Sequence, residues 1–306
     1  MKQSVRGVRA IEIEMADPER AAAFYAQVWH LTEVARQDGA IYLRGTSALH
    51  HVLAIHQNRG PAAVRRVVFD AADRARVDGL HETISAAGLA LEDAGPLDRP
   101  GGGYGFGFAD AAGRAFAIIC NCDDHADDER VPDRPYRIGH VNLNDHEPDA
   151  TRDIFVDVLG FRCVDHSGPQ YFMHCDNTDH SSIVICRAEA PTLNHVAFEM
   201  VDLDSVMRGA GRMIDHGYPI EWGVGRHGPG NNSFAYFAGP EEFPLEYTAD
   251  VAQIDDTYEY HGPDYWKWPA GRLDQWGVTP PHTRRWKRVQ GLFQFTCDSY
   301  WLRNRD

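Results

Sequence analysis

The 306-residue sequence lacks a long apolar run. No stretch approaches the ~20 consecutive apolar residues that a membrane-spanning helix needs. The segment from Met1 to Arg6 is not followed by the apolar stretch that is typical of a secretory signal. We therefore expect a cytoplasmic protein that does not bind membranes.

Clustered positive charge is also scarce. Lys and Arg number 30 against 45 Asp and Glu, the net charge is −15, and the basic residues form no stripe except near Arg284–Arg288. Because attraction to phosphates requires clustered positive charge, we expect no nucleic-acid partner. Gly101–Gly103 is not a phosphate-binding loop, since no Lys-Ser/Thr follows it and no Rossmann strand precedes it.

Cysteine is sparse as well. The six cysteines fit neither a zinc pattern nor a dense disulfide framework, so we expect reduced thiols. What the sequence does contain is an apolar fraction of 43%, which is enough for a substantial core. The length suits two domains of ordinary size.

An internal repeat divides the chain. Val8–Ile13 opens residues 1–122 and Ile138–Leu143 opens residues 136–250, each with the alternation of a strand. Duplicated structural units produce core positions that recur at a constant spacing. At an offset of 130 or 129 residues, the matching pairs are Phe24 and Ile154, Trp29 and Leu159, Leu31 and Phe161, Val34 and Val164, Phe69 and Phe198, Gly88 and Gly217, and Phe116 and Leu245.

Each half repeats the order strand, helix, several strands, so we predict an α+β fold with about four βαβββ-like modules in two tandem domains. The first helix begins at Pro18, after the N-cap Asp17. The other helices are predicted at about 72–87, 148–159 and 203–216. Residues 123–135 are the predicted linker, and residues 251–306 form a C-terminal arm beyond the repeat.

Three polar residues interrupt the apolar alternation of predicted strands in the second half: His140, His195 and Glu246. Two imidazoles and one carboxylate on inward faces form a facial triad, which leaves coordination positions for a substrate and O₂ on non-haem Fe(II). The same ligands also suit Mn(II).

The first half lacks all three candidate ligands. At the repeat offset, His140 falls on Ala10, His195 on Arg66 and Glu246 on Ala117. Three unrelated core polar residues, each satisfied by hydrogen bonds, are the structural alternative. That alternative does not predict the joint loss, so we predict one metal site, in residues 136–250, and none in residues 1–122.

The segment Gly225–Tyr247 resembles the signature of type I extradiol ring-cleaving dioxygenases (catechol 2,3-dioxygenase-like) of the vicinal oxygen chelate, or glyoxalase, superfamily. The spacing of His227, Tyr236 and Glu246 fits that signature. Phe234-Ala235 and the turn Gly239-Pro-Glu-Glu depart from it, which concerns turn shape more than chemistry. The resemblance implies paired βαβββ modules around a metal, with a metal-free domain before the catalytic one.

The resemblance also implies roles for three further residues. His180, fifteen residues before His195, would be the acid–base catalyst, Tyr236 would hydrogen-bond the substrate oxygen, and His227 would orient the bound molecules. The structural alternatives are a surface histidine on a hairpin, a core tyrosine and a loop histidine. His50 occupies the place of His180 in the metal-free half, so a histidine there does not require catalysis.

The arm is rich in Trp, Tyr, Pro and charge, and it either packs as an ordered segment on the last domain or closes over the pocket as a lid. We expect Arg272 to reach the pocket, with a surface ion pair to Asp274 as the alternative. Trp222 and Phe172 are expected to supply an aromatic wall for a catechol-type substrate. Homo-oligomerisation is left open by the sequence.

The implied activity is insertion of both atoms of O₂ into a catechol-type ring. Two rival functions remain. A glyoxalase-like isomerase would use a metal but usually carries a fourth protein ligand, and a non-catalytic ligand-binding relative would need no metal. Metal analysis followed by an O₂-uptake assay separates the three.

Overall fold

The computed structural model describes residues 5–296 and 299–303, and its strands form two mixed sheets. The first sheet runs in the order β2-β3-β4-β1-β5-β8-β7-β6. Its strands, β1 to β8, are Gly7–Met15, Thr32–Gln37, Ala40–Arg44, Leu53–Gln57, Ala63–Asp70, Gly95–Pro96, Tyr104–Ala109 and Ala115–Cys120.

The second sheet repeats this order as β10-β11-β12-β9-β13-β16-β15-β14, with β17 paired to β13. Each sheet consists of two βαβββ modules whose first strands meet antiparallel in the middle, as β1–β5 and β9–β13. The strands β9 to β17 are Arg137–Asp145, Arg162–Ser167, Gln170–His174, Ile183–Arg187, Thr192–Glu199, Trp222–Arg226, Ser233–Ala238, Pro244–Ala249 and Phe293–Gln294. The predicted α+β arrangement of four modules is confirmed.

The helices form where the capping signals indicate. They are α1 (Pro18–Gln27), α2 (Arg74–Ala86), α3 (Pro148–Asp157), α4 (Leu203–Asp215) and α5 (Arg284–Val289), with a 3₁₀ turn at Pro240–Glu242. The Asp17 carboxylate accepts a hydrogen bond from the backbone N–H of Arg20, as expected of an N-cap. Gly160 and Gly217 follow α3 and α4 with φ of 73° and 82°, a conformation that costs glycine little. Within the described residues, none of these helices is long and apolar enough to cross a bilayer.

A shared core joins the two halves. The indole of Trp29 stacks on the ring of Tyr247 with centroids 3.7 Å apart, and both side chains are fully buried. The buried guanidinium of Arg114 lies 2.7 Å from the carboxylates of Asp110 and Asp145. Burying each large aromatic side chain contributes about 1.5–3 kcal/mol, so the halves stabilise each other.

The C-terminal arm contacts both halves. Its residues Trp286 and Val289 are fully buried, and β17 pairs with β13 of the second sheet. The chain then crosses to the first sheet, where the Arg66 guanidinium donates a hydrogen bond to the carbonyl oxygen of Trp301 at 3.1 Å. The arm therefore packs on both domains, whereas the sequence led us to consider only the second.

Candidate metal centre and active site

The three predicted ligands lie on adjacent strands of the second sheet. His140 is on β9, His195 on β13 and Glu246 on β16, which are neighbours in that order. Ala197 of β13 pairs with His140 on one side and with Glu246 on the other. The flanking Leu245 and Tyr247 point to the opposite face and belong to the hydrophobic core, as the alternation of a strand requires.

The ligand atoms converge on one point. The Nε2 atoms of His140 and His195 are 3.2 Å apart, and they lie 3.3 Å and 3.0 Å from Glu246 Oε2. Ligands about 2.1 Å from a metal in adjacent octahedral positions are about 3 Å from one another. The separations therefore fit a divalent metal bound on one face.

Two atoms of the site, on Glu246 and His195, are available to bind a metal. Glu246 Oε2 is buried and has no hydrogen-bond partner, although a buried carboxylate oxygen normally has one. His195 Nδ1 lies 2.8 Å from Asn194 Oδ1, so Nδ1–H donates there and the lone pair of Nε2 faces the site. A metal ion would satisfy both atoms.

The electrostatics favour the metal-binding forms of Glu246 and His195. Burial alone would raise the pKa of Glu246, but the adjacent imidazoles of His140 and His195 hold it well below its usual range. Burial lowers the pKa of His195. A carboxylate and a neutral imidazole are the protonation states that bind metals.

Tyr236 and His227 lie beside the triad. Tyr236 is on β15 directly opposite Glu246, and its hydroxyl is 2.8 Å from His227 Nε2. Burial lowers the pKa of His227 to about 4, and burial next to Glu246 raises the pKa of Tyr236. Near neutral pH the pair is therefore a neutral imidazole and a protonated phenol.

A cavity of about 510 Å³ opens over the two histidine ligands. Besides these two ligands, four predicted site residues line it: Phe172, Trp222, His227 and Tyr236. The indole of Trp222 stacks on the Tyr236 ring with centroids 5.1 Å apart. The expected aromatic wall thus lies over the triad, at a size that suits a small aromatic ligand.

His180 lies behind the cavity wall. Its side chain is fully buried, so it is not the surface histidine of the structural alternative. Its Nε2 is 2.7 Å from Asp165 Oδ2, and its Nδ1 is 3.3 Å from the hydroxyl of Ser181, which does line the cavity. Tyr258 and His261 of the arm also hydrogen-bond the Asp165 carboxylate, at 3.1 Å and 3.0 Å.

Arg272 is an expected site residue that does not line the cavity. It is exposed, and its guanidinium donates to the backbone oxygen of Gln275 at 2.7 Å. Asp274 instead accepts from nearby backbone N–H groups, including that of Gly277 at 3.0 Å. The short Pro269–Gly271 turn directs Arg272 outward, which the residue order alone does not reveal.

Sequence reasoning missed several residues of the cavity wall. One of them is His282, which neither motif spacing nor the comparison of the two halves identifies, and its ring contacts Trp222 with centroids 4.2 Å apart. The arm residues have no counterpart in the repeat, so no comparison between the halves could identify them. The missed lining residues include Asn142, Asn194, Trp268, Leu273, His282 and Lys287.

Comparison with known families places the site within a matched segment. The model described as the Glyoxalase/Bleomycin resistance protein/Dioxygenase superfamily matches residues 137–247. Metapyrocatechase 2 of Cupriavidus necator is 33% identical over 155 residues, which are 48% of this chain and 46% of that relative. The match thus spans less than half the length of that curated relative.

Solved structures match almost the whole chain. The Mn(II)-bound glyoxalase from Novosphingobium aromaticivorans has a TM-score of 0.85 at 32% identity, covering 92% of this chain and 94% of that one. A mutant of homoprotocatechuate 2,3-dioxygenase from Brevibacterium fuscum has a TM-score of 0.81 at 20% identity, covering 93% and 81%. The second similarity shows the fold alone.

Proposed function

This chain belongs to the glyoxalase/bleomycin resistance protein/dioxygenase superfamily, and we propose that it is an extradiol dioxygenase acting on a catechol-type ring. The observation that carries the proposal is the convergence of His140, His195 and Glu246 under an aromatic cavity. Two imidazoles and one carboxylate are the ligand set of Fe(II) oxygenases. The relative named metapyrocatechase 2 supports the same reaction class.

The triad would hold Fe(II), and the same ligands suit Mn(II). When bound, such a metal supplies positions for the catechol oxygens and O₂ and a route for electrons between them. Neutral His140 and His195 with ionised Glu246 leave a divalent site with a net charge of +1. A catechol monoanion would neutralise that charge, which suits a buried cavity.

Tyr236 and His227 would orient the substrate. The Tyr236 hydroxyl stays protonated because burial raises its pKa, so it can donate a hydrogen bond to a catechol oxygen. His227 stays neutral and holds that hydroxyl in place at 2.8 Å. Trp222 packs against both rings and excludes water from them.

His180 would move a proton through Ser181. Because the Asp165 carboxylate accepts a hydrogen bond from Nε2–H, the lone pair of His180 lies on Nδ1, 3.3 Å from the Ser181 hydroxyl. Ser181 can then take a proton from the catechol while it gives its own to His180. Asp165 is a positioning residue here, since it fixes the tautomer and does not touch the substrate.

A proton relay through Ser181 requires the hydroxyl group of that residue. Ser181→Ala should lower turnover with catechol while Ser181→Thr, which keeps the hydroxyl, restores most of it. The pH dependence of kcat should change in the Ala variant and not in the Thr variant. Equal turnover in the wild type and in both variants would show that His180 does not exchange a proton with the substrate through Ser181.

A glyoxalase-like isomerase is the second candidate, because the Mn(II)-bound glyoxalase is 32% identical over nearly its whole length. Such isomerases usually carry a fourth protein ligand. Among the described residues, the only group able to hold a metal contains three ligands. The triad therefore favours a reaction that uses open coordination positions.

One experiment separates these functions. The purified chain is reconstituted anaerobically with Fe(II) or Mn(II), its metal content is measured, and O₂ uptake is followed with catechol and substituted catechols. We expect one metal per chain, stoichiometric O₂ uptake and a yellow ring-opened product. Metal binding without O₂ uptake on any catechol would favour the isomerase, and absence of metal binding would favour a binding protein.

A further inference from the structure

The first sheet contains a second cavity, also of about 510 Å³, in residues outside the catalytic domain. Its position follows from the repeat. In the second sheet His195 pairs with Asn142 across β13 and β9, and in the first sheet Arg66 pairs with Glu12 across β5 and β1. The cavity therefore lies on the face of the first sheet that corresponds to the metal site.

The inner end of this cavity holds two guanidinium groups for one carboxylate. Glu12 is 2% exposed and Arg66 is 3% exposed. Glu12 Oε1 lies 2.6 Å from Arg99 Nη2, and its Oε2 lies 3.2 Å from Arg66 Nε. One buried positive charge is therefore not balanced by Glu12, which is costly unless a further anion is present.

Neighbouring charges do not provide that balance. Arg65 is paired with Glu14 at 3.3 Å, and Arg303 lies 3.6 Å from Glu92, so these arginines and acids offset each other. Asp38 and Asp98 line the outer part of the cavity and are both exposed to solvent, where charges are screened. His56 Nε2 also faces Glu12, at 3.3 Å, and competes for the same carboxylate.

Donor groups at the inner end exceed the acceptors. A guanidinium has five N–H donors. Among the described residues, Arg66 donates a hydrogen bond to the Trp301 carbonyl oxygen, and its buried Nε has no well-aligned acceptor. Burial lowers the pKa of Arg66 to about 10, because Glu12 only partly compensates for desolvation of the guanidinium.

We propose that this cavity binds a small organic carboxylate, with Arg66 and Arg99 pairing with its oxygens. Two guanidinium groups that flank one carboxylate offer the planar N–H geometry that a second carboxylate matches. Tyr42 and the arm residue Trp301 line the cavity and would cover the organic part of the ligand. Under this proposal, the first half of the chain has an anion site on the sheet face where the second half has its metal site.

The test is isothermal titration calorimetry of the metal-loaded full chain with benzoate and succinate, and with benzylamine as a cation of similar size to benzoate. We expect saturable binding of at least one carboxylate below about 10 mM and none of benzylamine. Arg66→Gln and Arg99→Gln should each weaken binding about tenfold or more. Arg20→Gln, which removes an exposed arginine of the same domain, and Glu246→Ala, which removes a metal ligand, should leave binding unchanged.

Several outcomes would overturn the proposal. They are no saturable heat with either carboxylate, equal binding of benzylamine, unchanged binding in both arginine variants, and loss of binding in Glu246→Ala, which would place the ligand at the metal. Circular dichroism and thermal unfolding check that the arginine variants fold. If they do not, Trp301→Ala removes a partly exposed indole that would cover the organic part of the ligand, and it should weaken carboxylate binding severalfold, whereas unchanged binding counts against the site.

Discussion

The two sheets share one pairing register and differ in what fills the equivalent position. In the first sheet Val68 pairs with Ala10 and with Ala117. In the second sheet Ala197 pairs with His140 and with Glu246. The structural counterparts of His140 and Glu246 are thus Ala10 and Ala117. The strand register is the same in the sheet that carries the ligands and in the sheet that lacks them.

A comparison of the residues at the metal-ligand positions of the two sheets shows that burying the ligands is energetically unfavourable. The first sheet has an apolar cluster at the positions of His140 and Glu246, composed of Ala10, Val68, Leu97, Ala117 and Ile119, whereas Arg66 occupies the position of His195. The second sheet places a fully buried carboxylate there, with an oxygen that lacks a hydrogen bond. Because an alanine packs more favourably than an unpaired polar group, the fold does not need the triad. The first sheet shows the fold without the triad, so we interpret the triad as functional.

Removal of a triad ligand should make the second sheet resemble the first, with the largest effect on activity. Glu246→Ala places alanine where the first sheet has Ala117. We expect loss of bound metal and a fall in O₂ uptake of at least about 10³-fold, since metal-ion catalysis is worth several kcal/mol. Metal analysis and O₂ uptake measure this, with Glu82→Ala as the exposed glutamate control. Wild-type metal content in Glu246→Ala would disprove the ligand assignment.

His180 and its counterpart His50 give the next comparison. His180→Ala should retain metal and catechol binding but lose about 10²–10⁴-fold in kcat, the usual scale of general acid–base catalysis. His50→Ala should have little effect on kcat, because that histidine belongs to the metal-free half. Loss of metal from His180→Ala would assign His180 to metal binding, and normal turnover would assign it a structural role only.

The features that could be predicted from the sequence are those that a comparison of its two halves identifies. The modules and the convergence of His140, His195 and Glu246 were readable because strand alternation and the comparison of two copies both report on them. The contact of His180 with Asp165 could not be predicted, since His180 lies in the loop between β11 and β12 and Asp165 lies on β10, so that their proximity depends on tertiary packing. The outward direction of Arg272 was missed for a related reason, because a turn without a repeat counterpart determines it.

The buried ion cluster of the first sheet should have a measurable effect on stability. Burial alone would raise the pKa of Glu12, but Arg66 and Arg99 hold it well below its usual value of 4.5. Its stabilising effect is therefore fully present above about pH 4.5 and is lost as the pH falls through the lower folded-state pKa. Glu12→Ala leaves two buried guanidinium groups unpaired, which should cost about 3–5 kcal/mol near neutral pH.

Urea unfolding of the wild type and Glu12→Ala, both freed of metal by a chelator, measures that cost between pH 7 and pH 3. The difference in unfolding free energy should shrink as the pH falls below about 4.5, because the unfolded wild type then binds a proton at Glu12 while the native protein stays ionised down to its lower pKa. Glu82→Ala controls for the loss of an exposed carboxylate. A difference that stays constant with pH would show that folding does not lower the pKa of Glu12.

The smallest expected effect on activity concerns the C-terminal arm, which contributes several residues to the cavity wall of the second sheet. Trp268 lies against Gly228 at the cavity, so closely that a Cβ added to that glycine would be 2.7 Å from the indole. Trp268→Ala should raise KM for catechol about threefold to tenfold with metal content unchanged, because it opens the apolar wall to water. Arg272→Ala should change KM less than about twofold, since that exposed side chain does not line the cavity. Steady-state O₂ uptake at several catechol concentrations separates the two variants. A larger effect for Arg272 than for Trp268 would mean that the arm closes further over the substrate and turns its arginine inward.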